Sequence, residues 1–181
     1  MFTSVKVIFN YLTVLVVVFT ASTTITVAQE GQWGAWTAGL AEDRQSSYAG
    51  TINDSGNLLA QYCFLSSGNC VYLLAMSTAC KDGSRYPVLV NSDAGSFSTE
   101  IVCGGPLNGR FRYLFSNFEL INSAVRDAAR IGFAVPLSGD NFRVTRFDLN
   151  GSRQALSRSL ELLSRRQGGG TRQQGTRDQV M

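Results

Sequence analysis

Cys63, Cys70, Cys80 and Cys103 are the residues of this 181-residue chain whose type and spacing most directly imply chemistry. Four is an even number, and all four follow an apolar leader, a combination that argues for two disulfides formed in an oxidising compartment. Three pairings are open to four cysteines. Spacing favours Cys63–Cys70, closing a hairpin around Ser66-Ser67-Gly68-Asn69, and Cys80–Cys103, stapling a longer loop. Zinc is not expected: the cysteines are not in C-x-x-C pairs and the chain contains no histidine. No other cofactor is implied. The missing histidine also excludes Ser-His-Asp and Cys-His nucleophilic sites, a haem held by a proximal histidine and the commonest general base. A Ser-Lys dyad would have to use Lys81, which lies in the polar turn Cys80-Lys81-Asp82-Gly83-Ser84. Asp82, Asp93 and Asp140 stand beside glycine or serine, where turn formation is the usual role. The remaining enzymatic route is a carboxylate pair acting on a glycan, for instance Asp140 and Asp148, held roughly 5–10 Å apart. The primary expectation is a non-enzymatic protein with no catalytic residues.

The elements that must position these residues begin after a leader. Lys6, the apolar run Val7–Phe19 and the small residues of Thr26-Val27-Ala28 describe a secretory signal peptide over 1–28. The run falls short of the roughly 20 residues of a spanning helix, and Asn10 interrupts it. Membrane attachment is therefore expected only if the signal stays uncleaved. A periplasmic or secreted location follows. The remainder suits one domain, 29–166, large enough to bury its own core. Its charge is uneven. Gln29–Gly104 carries three basic and seven acidic residues, whereas Gly105–Met181 carries twelve arginines and six acidic residues. Such asymmetry steers anionic partners. The arginines are scattered rather than clustered, so nucleic acid is not an expected partner; an envelope protein or an anionic surface is. Residues 167–181 hold a Gly-Thr-Arg near-repeat and no apolar residue before Val180, which predicts a disordered Gly/Arg/Gln tail. Such a tail could order on a partner within a larger envelope assembly.

Between leader and tail the chain reads as short strands and two helices. Trp33 and Trp36 open the domain, and Ala38–Ser46 reads as a polar loop. Strands are expected over Tyr48–Ile52, Leu58–Leu65, Val71–Met76, Tyr86–Val90, Phe97–Cys103, Arg110–Phe115, Phe133–Leu137 and Phe142–Leu149. In Arg110–Phe115 the aromatics Phe111, Tyr113 and Phe115 alternate with Arg110 and Arg112. Ser116-Asn117-Phe118-Glu119 reads as a capping box with Ser116 as N-cap, Phe115 and Leu120 as a hydrophobic staple, and Gly132 as the stop. It opens a helix over 117–130. A second helix over 152–165 carries Leu156, Leu160 and Leu163 at i, i+4, i+7.

The order of these landmarks resembles the invasion-associated locus B family of exported Gram-negative proteins. The likeness rests on Trp33, on Tyr86-Pro87-Val88-Leu89-Val90 leading to Asp93, and on Cys103. It continues in Glu119-Leu120-Ile121-Asn122-Ser123-Ala124-Val125 and in Phe147-Asp148-Leu149-Asn150-Gly151 with Ala155-Leu156. Two features depart from the family's pattern. Ser152 replaces the usual aromatic after the glycine, and Gly104-Gly105 follows Cys103 without the usual Gly-Cys. The family's disulfide pattern is therefore not carried over. The resemblance implies a periplasmic or surface-associated β-rich domain with no known catalytic activity.

The expected fold is α+β, a mostly antiparallel β-sandwich or curled sheet with helices at about 117–130 and 152–165. Arg110, Arg112, Arg143 and Arg146 form the expected contact surface.

Overall fold

A computed structural model describes residues 31–107, 109–136 and 141–168. The signal segment 1–28, Asp140 and the tail beyond Gly168 lie outside the described residues. The elements in chain order are β1 (Gly31–Trp33), β2 (Trp36–Leu40), β3 (Ser46–Ile52), β4 (Leu58–Phe64), β5 (Cys70–Met76), β6 (Arg85–Ser92), β7 (Gly95–Leu107), β8 (Arg110–Phe115), α1 (Phe118–Asp127), β9 (Arg130–Pro136), β10 (Phe142–Asp148) and α2 (Ser152–Gly168). The ten strands form one antiparallel sheet in the order β1-β2-β3-β4-β5-β8-β7-β6-β9-β10. It is a single curled sheet, not two stacked ones, and its ladder does not close.

Register carries one buried face through every strand. Ala38 stands opposite Ala49, Ala49 opposite Gln61, and Gln61 opposite Tyr72. Further round, Leu74 meets Tyr113, and Val90, Phe133 and Thr145 form one row. Because side chains alternate along a strand, this register turns the apolar set inward and leaves Arg110 and Arg112 on the outer face. Leu59, Leu74, Ile101, Ile121 and Ile131 are fully buried. Burial of each such side chain contributes about 1.5–3 kcal/mol.

The helices complete this core. Ile121, Ala124 and Val125 of α1 and Ala155, Leu156, Leu162 and Leu163 of α2 are buried. The Ser159 hydroxyl lies 3.0 Å from that of Ser47, so α2 sits on the inner face of β3. Ser152 donates to the Val125 carbonyl at 2.7 Å and joins the start of α2 to α1. Trp36 Nε1 donates to the Asp148 carbonyl at 3.0 Å. Asn53 Nδ2 reaches Thr145 Oγ1 at 2.9 Å and the Arg146 carbonyl at 3.0 Å, and Asn57 Nδ2 reaches Thr145 Oγ1 at 3.1 Å. Side-chain donors from β2 and from the β3–β4 turn thus hold β10 where no ladder does.

Cys63–Cys70 and Cys80–Cys103 are both present as disulfides, the two links that spacing favours. Several local expectations are corrected. Asn117, not Ser116, caps α1: its side chain accepts from the Leu120 N–H, while Ser116 is held to β7 through Glu100. Leu120 is exposed, so no staple forms. The helix ends at Asp127, not 130, because Ala128 turns extended and Arg130 already begins β9, with Gly132 inside that strand. α2 runs past Arg165 through Gly168. Its buried stripe is Ala155, Leu156, Ser159, Leu162 and Leu163, which leaves Leu160 at the surface. The first part of the expected loop Ala38–Ser46 is strand β2, its small residues buried beneath α2.

Candidate functional site

The outer face of β6, β9 and β10 departs from an ordinary solvated strand surface. Leu89, Ala134 and Val144 lie directly opposite one another across the three strands. Leu89 is 54% exposed, Val144 50% and Phe142, beside Pro136 on the neighbouring row, 65%. Scattered apolar residues are normal on a surface, but a contiguous row is not. The next row is Asn91, Gly132 and Arg146. Gly132 has no side chain, so the surface dips between its neighbours. The result is a solvent-open groove of about 650 Å³, apolar at Leu89, Ala134 and Val144 and polar at Arg130, Arg146, Asp93 and Asp148.

The two carboxylates are already engaged. Asp93, in the β6–β7 turn, accepts the Ala129 N–H at 3.0 Å and the Arg130 N–H at 3.3 Å. It thereby fixes the passage from α1 into β9. Asp148 Oδ1 accepts the Asn150 N–H at 2.8 Å. The guanidinium groups of Arg130 and Arg146 form no ion pair among the described residues. An apolar floor with unpaired guanidinium groups is equipped to dock a partner that offers acceptors. The expected Asp140–Asp148 pair falls partly outside the described residues, because Asp140 does.

The expected arginine surface is distributed as follows. Arg146 lies in the groove, where it is joined by Arg130, a residue the sequence reading placed on a helix. Arg143 is on the opposite face of β10 and acts on the Tyr113 hydroxyl, whose pKa burial raises. Arg110 and Arg112 share the outer face but stand on β8, separated from β10 by β7, β6 and β9. Arg112 donates to the Gly104 carbonyl, and Arg110 lies over the Gly56 turn. Leu89 and Val144 carried no motif; only strand pairing makes them neighbours.

Asp93 yields a pH dependence. The N–H groups of Arg130 and then Ala129, together with the charge of Arg130, hold its carboxyl below the ordinary 3.8. A depressed folded-state pKa stabilises the fold above the unfolded value and loses that contribution as pH falls through the folded one. Asp93→Asn should therefore cost stability near neutrality. The gap between variant and parent should narrow steadily below pH 3.8. Urea unfolding across pH 2.5–7 checks this; a gap independent of pH would contradict the clamp.

No family model matches the chain, and no curated protein matches it in sequence. No described helix is long and apolar enough to cross a membrane. Among solved structures the fold is similar to that of invasion associated protein B from Bartonella henselae, with a TM-score of 0.54 and 16% identity, covering 76% of this chain and 99% of that one. What the two proteins are shown to share is the fold.

Proposed function

We propose that the protein is an exported, disulfide-stapled, non-enzymatic binding protein of the cell envelope, periplasmic or secreted, and a distant relative of the invasion-associated locus B proteins. The observation that carries the binding reading is the Leu89–Ala134–Val144 row, bordered by Arg130 and Arg146, on the outer face of a sheet whose other face is the core. Aliphatic floor and arginine rim are the composition of protein contacts, with the arginines supplying direction. The two disulfides support an oxidising compartment. The likeness to the Bartonella protein supports the kinship at the level of fold.

Intact mass of the exported protein, with alkylation before and after reduction, tests the compartment. The expected product begins at Gln29 and has four cysteines that alkylate only after reduction. A retained Met1, or a cysteine that alkylates without reduction, overturns export. Photo-crosslinking in the native host tests the groove, with benzoylphenylalanine replacing Val144 or, as a control, the exposed Glu42. A discrete adduct from position 144 alone supports docking there. No adduct, or equal adducts from both positions, overturns it.

A further inference from the structure

A second cavity lies away from the groove, where α1, α2 and the β4–β5 hairpin meet. It is a solvent-open pocket of about 420 Å³. The Cys63–Cys70 disulfide staples the hairpin that forms one wall. Phe118, Asn122 and Arg126 follow one another at intervals of four along α1 and therefore line up on one side of it. Exposed Leu160 of α2 stands at the lip.

The floor is polar where the surrounding face is apolar. Gln61 is 1% exposed in a row with Ala49 and Tyr72, and a buried amide is costly unless it is bonded. The Tyr72 hydroxyl, opposite Gln61 across the β4–β5 ladder, donates to Asn122 Oδ1 at 3.1 Å. The Phe118 ring packs on that of Tyr72 at 5.2 Å. That bond occupies the acceptor of Asn122 and leaves its Nδ2 hydrogens to be matched. Arg126, one turn further along, is in no ion pair among the described residues. After burial, Arg126 is the strongest influence on the Tyr72 hydroxyl, ahead of the carboxylate of Glu119.

We infer that this cavity binds a small amphiphile bearing a single carboxylate. Arg126 and Asn122 Nδ2 hold the head, and Phe118, Leu160 and the Cys63–Cys70 staple receive the chain. One unpaired guanidinium matches one negative charge, and its planar fork fits a carboxylate in a bidentate pair. The inference stands apart from the groove, so either can fail without the other.

The test is a titration of the full chain with octanoate, following the side-chain amide NMR signals of Gln61 and Asn122. Octanol supplies the chain without the charge, and acetate supplies the head without the chain. Octanoate should shift both amides in a saturable way, and the other two probes should bind at least tenfold more weakly. Arg126→Met should weaken octanoate at least tenfold and Arg126→Lys less. Leu160→Asp should weaken it with no change in fold by circular dichroism. Octanol binding as tightly as octanoate, or Arg126→Met binding like the parent, would overturn the inference. So would amide signals that stay fixed up to the solubility limit of octanoate.

Discussion

Trp36→Ala should lower the stability of the domain by about 3–5 kcal/mol. Such a loss removes a large share of the roughly 5–15 kcal/mol that folded domains possess. Trp36 is fully buried in the core cluster that also contains Phe133, Phe147 and Leu156. Its removal opens a large cavity among side chains from strands and helix alike. It also strips the Asp148 carbonyl of its indole donor in a part-buried bond, a loss of about 0.5–1.5 kcal/mol of its own. Trp36→Phe separates the two contributions, because it keeps most of the volume and loses the N–H. Urea unfolding of both variants should show lower midpoints at unchanged slope, with phenylalanine intermediate. A midpoint for Trp36→Ala close to the parent's would mean that β2 and β10 are not held together here.

Gly151→Ala should cost about 3 kcal/mol, through two separate effects. Gly151 has φ +91, a backbone conformation that L side chains rarely adopt. A Cβ there would also fall 1.8 Å from the Trp33 carbonyl oxygen. The obstacle is backbone, so no rotamer relieves it. The β1–β2 turn is docked on this spot, with the Ala35 N–H donating to the Asn150 carbonyl at 3.1 Å. Gly83→Ala is the control. Its φ is +75 but no atom lies within 4 Å of the added carbon, so it should lose only about 1 kcal/mol. Equal losses at the two positions would remove the close approach from the explanation.

Much of this architecture is legible in the chain because local period reports local shape. The alternation of Phe111, Tyr113 and Phe115 with Arg110 and Arg112 reads correctly as a two-faced strand, and α2 begins at Ser152 where its pattern begins. Boundaries are lost where two residues compete for one role. Ser116 and Asn117 can both cap a helix, and what decides between them is the ladder that ties Ser116 to Glu100, some sixteen residues earlier in the chain. β2 is obscured because Ala38 has little hydrophobic signal and is buried only once α2 packs on the strand. The groove is the least legible part. Leu89 is far in sequence from Ala134 and Val144, and nothing local states that β6 will pair with β9. The amphiphile cavity is similar: Gln61 looks like an ordinary polar residue until its row is known.

The side-chain bonds that anchor β10 have a consequence for how copies of this protein coexist. The Arg146 and Asp148 carbonyls are two residues apart and so point from the same margin of the strand, where they accept from Asn53 and Trp36. Unoccupied carbonyls along a sheet margin are a template on which another chain can add a strand and start aggregation. Here two of those carbonyls are already occupied by donors that cannot propagate a ladder, because an indole and a carboxamide end where they bond. At the other end of the sheet, β1 has only 3 residues, too short to seed lasting growth. A ten-stranded sheet that does not close is thereby kept from growing by one asparagine, one tryptophan and a stub.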